Sequence, residues 1–554
     1  MVLLKVSLNY LKERTRWNEA AILEALPLVK AEVDSIEGDE ITVEVTGDRP
    51  DLLCRQGIAR AINGFRCREL GAPKLGLHAT KNEVVVDDNV LAVRPVIVCA
   101  LARGLTLRDA DVAELMQVQE KLTLTHGRRR RKVAIGIHDA KAIKFPLRYA
   151  AYSGRELSFT PLGCDYQMNL DEILRDHPKG KEYAWTLQGF SRYPVITDDN
   201  GAVVSFPPII NGTMTTVTDV TNDLFLDVTG TDFDACNVAL NILCQNYADD
   251  GARIESVTVH SKGAKLVCPD CRPEKMILDA RDCNKTLGLE LTKKEIVNCL
   301  AKQRIDAEDA GGRSVAAFIP RYRADFLHAA DLIEEVALGY GYNAFAPLKP
   351  RVFTRGSVNA LTELSDKARD CLAGAGFIEF AGFILTSEAK AARAEALERV
   401  IKIRNPVSKE YSALRATLLP GVLEVLSENT HRSYPQRLFE VGETIERDAA
   451  SDARSRTTLK ACAVSAHAYA SFSEAATALT ILAKAIGRDV FFERASNASG
   501  GSNASGSAAR QFIEGRAARV VSGNKEIGFV GEIHPRVLSA YGLQVPATAF
   551  EIRL

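Results

Sequence analysis

Residues 323–343 read RADFLHAADLIEEVALGYGYN. A helix over about 328–338 turns Ile333, Val336 and Ala337 toward a core, and the glycines at 339 and 341 end it. On such a helix Asp331 lies one turn from both Glu334 and Glu335, so the spacing predicts three carboxylates on a shared face, with Asp325 just upstream. Hard oxygens grouped in this way suit magnesium, which keeps several waters and takes few protein ligands. The competing reading is a solvated acidic face with Arg321 and Arg323 as ion-pair partners, and spacing alone favours it. From 276 to this helix the chain alternates short strands with helices. That order fits a small winged-helix-like domain over 276–345.

Upstream, residues 86–265 form one α/β module. VIVCA at 96–100, VAIGI at 133–137 and SVTV at 256–259 read as strands, with VVV at 84–86 leading in; Val112–Leu122 and Cys236–Tyr247 read as helices. The segment 1–85 is a separate N-terminal domain, with Ile41, Val43 and Val45 alternating as a half-buried strand. GDRPDLL at 47–53 follows, where Pro50 ends the strand and Asp48 or Asp51 can cap a helix carrying Leu52, Leu53, Gly57, Ile58, Ala61 and Phe65.

Downstream, Pro347 and Pro350 mark a linker, and 355–554 form the last domain. It opens on an amphipathic helix over 357–374 with Leu361, Leu364, Ala368 and Cys371 in helical spacing. Strands are expected in FIEFAGFIL, VIKIRNP, RLFEVGETIE and VVSGNKEIGFVGEI. ASNASGGSNASGS at 495–507 has almost no apolar side chains and reads as a flexible surface loop. The fold class is therefore multi-domain α/β and α+β.

At 554 residues the chain is too long for one small binding module. Its 70 Lys and Arg against 71 Asp and Glu exclude a protein that grips nucleic acid over its whole surface, so any RNA contact is local. No stretch approaches the roughly 20 apolar residues of a membrane span, and Lys5, Asn9, Lys12 and Glu13 interrupt the start where a signal peptide would be apolar. The 12 cysteines are scattered as in a reduced protein, and we expect a cytoplasmic one.

The one dense basic run is Gly127-Arg128-Arg129-Arg130-Arg131-Lys132. It can hold an RNA backbone or a terminal phosphate, and a solvated hairpin is the alternative. Cys268 and Cys271 supply half of a tetrahedral zinc set without a second half at standard spacing, so they read as two linker thiols. No serine elbow, zinc-protease motif or phosphate-loop lysine occurs. His126, His138 and His260 are isolated, and each reads as a surface or core histidine.

Several blocks occur together in an order that resembles the β subunit of phenylalanyl-tRNA synthetase, of the archaeal and eukaryotic type. They are GDRPDLL with GIARAI, SFPPIIN at 205–211, LFLDVTGTD at 224–232, the 323–343 stretch, and NPVSKEYSALRATLLPG with RLFEVG. The resemblance covers nearly the whole chain. It implies an α2β2 enzyme that joins phenylalanine to tRNA(Phe) with ATP and Mg2+, and it makes the module over 86–265 an aminoacyl-tRNA editing domain. It also implies a magnesium motif at Asp325, Asp331, Glu334 and Glu335, which reverses the preference from spacing. The last domain resembles a class II synthetase core, an antiparallel sheet with flanking helices. Arg415 and the strand from Arg437 belong to that scaffold, but GFVGEIHPRVLSAYGL contains no Gly-x-Gly-x-x-Arg. Adenylate formation needs such charges at the pyrophosphate, so this domain is expected to be catalytically silent and to pack against the α subunit.

Tyrosine differs from phenylalanine by one hydroxyl, which an apolar pocket rejects only about a hundredfold, so a hydrolytic second site is a physical expectation. By resemblance Ser205, Asn211, Asp227 and Thr229 line it, with Gln119, Lys121, Arg128 and Arg131 toward the tRNA. Asp227 and Thr229, two apart on a strand, are expected on one face.

Overall fold

The computed structural model describes residues 2–350, 352–494 and 510–554. The loop expected at 495–507 lies outside them. The chain divides into two compact units, Met1–Lys349 and Pro350–Leu554.

The first unit begins with a three-stranded antiparallel sheet in which Glu40–Val45 runs between Val2–Ser7 and Ala31–Glu37. Ile41, Val43 and Val45 alternate inward and are fully buried, as the pattern predicts. The GDRPDLL segment departs from expectation at its cap. Pro50–Leu52 is a single 3-10 turn, and the helix Arg55–Phe65 is capped by Cys54 Sγ accepting from Gly57 N, because Asp51 is held by Arg49 at 2.8 Å through both guanidinium nitrogens.

An eleven-stranded mixed sheet is the centre of this unit. Leu224–Gly230 runs antiparallel between Val96–Arg103 and Val133–Asp139, and all seven of its residues are buried. Helix Asp109–Leu124 lies beside Val133–Asp139, and helix Phe233–Asp249 crosses Val96–Arg103 and Leu224–Gly230. The boundary expected at residue 85 falls inside strand Glu83–Val86, which pairs in parallel with Leu147–Ser153 and Arg253–Ser261. One continuous apolar core accordingly runs from Leu4 to Cys268. Strands Glu274–Asp279, Asp306–Asp309 and Ser314–Ile319 then form a small antiparallel sheet. Helices Ala280–Leu287, Lys293–Lys302 and Ala329–Tyr340 share its core through Cys283, Ile296, Leu300 and Val336.

The second unit is built on a seven-stranded sheet, antiparallel except where Ile378–Glu379 joins Gln436–Arg447. Period-two alternation along Ser455–Ala466 feeds two cores. Cys462 and Val464 pack toward helix Leu419–Glu428, while Ala461 and Ala463 pack toward helices Ala360–Gly374 and Phe472–Ala485. The last expected strand run is a hairpin, Phe512–Ser522 with Lys525–Ile533, turning on Gly523 and Asn524 with φ of 52° and 64°. FIEFAGFIL forms only the two-residue strands Ile378–Glu379 and Leu385–Thr386. The central strands Ser455–Ala466 and Ala547–Arg553 carry too many alanines and polar residues for their apolar pattern to stand out.

Candidate functional site

A cavity of about 480 Å³ opens beside the buried centre of the large sheet. Its floor is the pairing of Leu224–Gly230 with Val133–Asp139, in which Asp227 stands opposite Gly136. Helix Asp109–Leu124 gives one wall through Val112, Leu115 and Met116, and the hairpin from Val203 to Asn211 gives another. A carboxylate at the middle of a doubly covered strand is costly unless it is bonded. Asp227, 1% exposed, meets that need through His138, whose Nε2 lies 2.7 Å from Asp227 Oδ2. The other ring nitrogen, Nδ1, is 2.8 Å from Thr215 Oγ1, and Thr215 Oγ1 lies 3.3 Å from the carbonyl of Gly212. Gly136 makes room for this array, since a Cβ there would collide with Asp227 Oδ2 and approach His138 Nε2 to 2.6 Å.

Gln119, Ser205, Asn211 and Asp227 come together in the cavity. Ser205 Oγ donates to Asn211 Oδ1 at 3.0 Å, Asn211 Nδ2 reaches the Ile137 carbonyl at 3.5 Å, and Gln119 Nε2 donates to the Ile135 carbonyl at 2.6 Å. Thr229 is not in the lining. Its hydroxyl and carbonyl accept from the buried Arg94, through Nε at 2.9 Å and Nη2 at 2.6 Å. Arg94 also donates to the Arg131 carbonyl at 3.3 Å, and burial pushes its guanidinium down from its ordinary range.

Lys121, Arg128 and Arg131 lie outside the lining, and the arginine that enters it is Arg130. Its guanidinium sits 4.1 Å from the Tyr183 ring centroid and donates to the carbonyls of Pro208 at 3.1 Å and Ile209 at 2.8 Å. This follows from the turn. Arg128, Arg129 and Arg130 are consecutive left-handed residues with φ of 49°, 53° and 67°. Their N–H groups donate back to the carbonyls of Thr125, Leu124 and Thr123, offsetting the strain. Arg128, Arg129 and Arg131 are left exposed, and no carboxylate among the described residues pairs with them. Sequence reasoning missed both His138 and Arg130. The histidine stood alone in its stretch, and nothing in a run of four arginines distinguishes the one that turns inward.

Residues 276–342 match the tRNA synthetase B5 domain, and residues 348–554 match the phenylalanyl tRNA synthetase beta chain CLM domain. The phenylalanine--tRNA ligase beta subunit of Methanothrix thermoacetophila is 38% identical over 98% of this chain and 98% of its own. That of Archaeoglobus fulgidus is 38% identical over 96% of this chain and 94% of its own. The chain belongs to the phenylalanine--tRNA ligase beta-subunit family. A crystallised N-terminal fragment of the Pyrococcus horikoshii phenylalanyl-tRNA synthetase beta subunit is also similar in structure. It has a TM-score of 0.59 and 34% identity, and the match covers 62% of this chain and the whole fragment.

The acidic residues expected to form a magnesium motif have a specific arrangement here. Arg323 is buried and binds Asp325 at 2.6 and 2.8 Å and Glu335 at 2.9 Å. Asp331 caps its own helix, its Oδ2 accepting from Leu327 N and His328 N at 2.6 and 2.7 Å, while Glu334 points outward to Lys30 at 2.8 Å. The expected shared face is therefore corrected, because successive helical residues diverge by about 100° and Glu335 turns inward where Glu334 turns out. Among the described residues no three His, Cys, Asp or Glu side chains are placed to hold a metal ion. Glu335 Oε2 is buried without a partner among the described residues, yet with Asp325 and Asp331 already bonded the set does not by itself fit a magnesium site. Burial works to raise the Asp325 carboxyl, and the Arg323 guanidinium overrides it and holds it at about 2.

In the second unit Arg415 is spent internally. Its Nη1 binds the buried Glu440 at 2.7 Å and its Nε donates to the Glu443 carbonyl at 2.9 Å. Burial pushes the Cys268 and Cys271 thiols up to about 12 and about 11, so both are protonated near neutrality. Among the described residues no helix is long and apolar enough to cross a membrane.

Proposed function

We propose that the chain is the β subunit of a phenylalanyl-tRNA synthetase in which the α subunit activates phenylalanine with ATP and Mg2+, and that its own cavity hydrolyses mischarged Tyr-tRNA(Phe). The observation that carries the hydrolytic reading is Asp227. It is a buried carboxylate with Oδ2 taken by His138 and Oδ1 without a partner among the described residues, in a cavity otherwise lined largely by Val112, Leu115, Ile135 and Ile137. A phenolic hydroxyl donates to Oδ1, whereas a phenylalanyl ring leaves that oxygen desolvated and unpaired. Sites built to bond a hydroxyl reject the analogue lacking it by about 10⁴–10⁵, so the correct product is spared.

Hydrolysis then needs a water at the ester carbonyl. Its oxygen forms the new bond to the carbonyl carbon, its proton passes to the departing ribose oxygen, and tyrosine leaves with a free carboxyl group. Ser205 is bonded to Asn211, and Thr215, although His138 lies beside it, is 1% exposed with its hydroxyl already bonded to that ring and near the Gly212 carbonyl, which supports attack by a positioned water over a covalent step. The exposed cations Arg128, Arg129 and Arg131, on the turn that sends Arg130 into the cavity, suit the phosphates of an acceptor end.

Two features support docking on an α subunit. Arg415 is bound within the fold instead of facing ATP, and Val358, Leu361, Ile378 and Phe383 are exposed by more than half. Of the expected stripe Leu361, Leu364, Ala368 and Cys371, only Ala368 is buried among the described residues; the other buried positions of helix Ala360–Gly374 are Ser365 and Leu372.

The test is deacylation of Tyr-tRNA(Phe) by the complex co-expressed with its α subunit. Asp227→Ala is expected to lower the rate at least about 100-fold while phenylalanylation persists. A wild-type complex that leaves Tyr-tRNA intact overturns the editing reading and leaves a scaffold and tRNA-positioning subunit.

A further inference from the structure

The cavity's most specific feature is a polar group that does not line it. His138 is fully buried, belongs to the same sheet as Asp227, and has both ring nitrogens committed, one to Asp227 Oδ2 at 2.7 Å and the other to Thr215 Oγ1 at 2.8 Å. A buried histidine ordinarily has its nitrogens bonded, so its partners are what distinguish it. This one bridges two side chains from different elements, the strand Leu224–Gly230 and the 3-10 turn Thr213–Thr215, both of which reach the cavity. Phe225 lies against its ring, with centroids 5.9 Å apart, and closes off one side. On the partner strand, position 136 has no side chain, and any Cβ there would displace the carboxylate from the ring.

We infer that His138, held by Thr215, is the positioning residue that fixes Asp227, so that Oδ1 is presented to the substrate hydroxyl as an acceptor. The inference rests on the editing reading of the cavity and deepens it by assigning hydroxyl recognition to a three-residue array. Thr215 at Nδ1 fixes the plane of the ring and so keeps Nε2 against Oδ2. The carboxylate is then satisfied on one side and open on the other. Without that partner the Asp227 side chain is free to rotate, and the acceptor facing the cavity is lost. His138 does not touch the substrate. Its effect is on which aminoacyl group is accepted, and it extends to the rate only through Asp227.

The experiment uses the full α and β complex and compares deacylation of Tyr-tRNA(Phe) and Phe-tRNA(Phe) as kcat/KM. His138→Leu is expected to lower Tyr-tRNA deacylation at least about 100-fold and to narrow the tyrosine-to-phenylalanine preference at least tenfold. His138→Gln, which keeps an N–H donor near the Nε2 position, is expected to recover most of both. Thr215→Val is expected to fall between wild type and His138→Leu, and Thr215→Ser to behave as wild type. A purely packing role predicts that His138→Leu lowers the melting temperature and both deacylation rates together with the preference unchanged; that result overturns the inference. So does a His138→Gln variant as impaired as His138→Leu. If His138→Leu fails to fold, the two Thr215 variants decide, since equal preference in Thr215→Val and Thr215→Ser also overturns it. A wild-type complex inactive on Tyr-tRNA is a different result: it removes the editing reading, and this inference with it.

Discussion

At the scale of single residues, the two most consequential groups are Gly136 and Arg323, and neither touches a ligand in the proposed reaction. Gly136→Ala places a methyl group into Asp227 Oδ2. Overpacking of this kind costs about 1–3 kcal/mol, and deacylation of Tyr-tRNA is expected to fall about as far as in Asp227→Ala, measured by melting and by hydrolysis. Arg323 neutralises Glu335, whose side chain is 1% exposed, and Asp325, whose side chain is 7% exposed. Arg323→Met leaves two buried carboxylates unpaired and is expected to destabilise the first unit by about 3–5 kcal/mol in urea unfolding. The pH dependence has a definite sign. The folded Asp325 carboxyl titrates at about 2, below its ordinary 3.8, so its contribution is complete above roughly pH 4 and is lost as pH falls toward 2. Unfolding midpoints at pH 5 and pH 3 should differ less in Asp325→Asn than in wild type.

At the scale of elements, the turn after helix Asp109–Leu124 converts a charge run into a directed surface. A run of cations in a flexible hairpin would point everywhere. Here backbone bonds from residues 128–130 to 123–125 fix the turn, Arg130 folds over Tyr183, and the neighbouring arginines are left outside. Arg128→Ala and Arg131→Ala should each weaken tRNA binding at every sequence. Each should also reduce the slope of log affinity against log salt by about 0.7, as expected for one single-strand phosphate contact in a salt titration. Helix Ala360–Gly374 shows the complementary case. Its C-terminal half is anchored by Ala368 and Leu372, while Leu361 is 59% exposed. Leu361→Asp should leave this chain folded, by circular dichroism, and weaken its complex with the α subunit by about tenfold or more in a titration.

At the scale of the whole molecule, the division at Lys349 and Pro350 carries a prediction of its own. The first unit has a continuous core from Leu4 to Cys268 and matches a crystallised fragment of a relative along that fragment's whole length. Residues 1–349 expressed alone should therefore fold without the second unit, as checked by circular dichroism and calorimetry. What the sequence determined by itself was periodic or contiguous. Ile41, Val43 and Val45 announced a strand, Ile333, Val336 and Ala337 a helix face, and the ordered blocks the family, because local pattern needs no knowledge of what lies opposite. Those blocks also named Ser205, Asn211 and Asp227. Only the tertiary structure decided what those residues meet. Asp227 and His138 are 89 positions apart and meet because their strands pair. Asp325 and Glu335, for which the sequence offered either a metal or the ion-pair partners Arg321 and Arg323, are both bound by Arg323, two positions from one and twelve from the other. Burying a charge requires a partner, and the chain's fold in space selects which one.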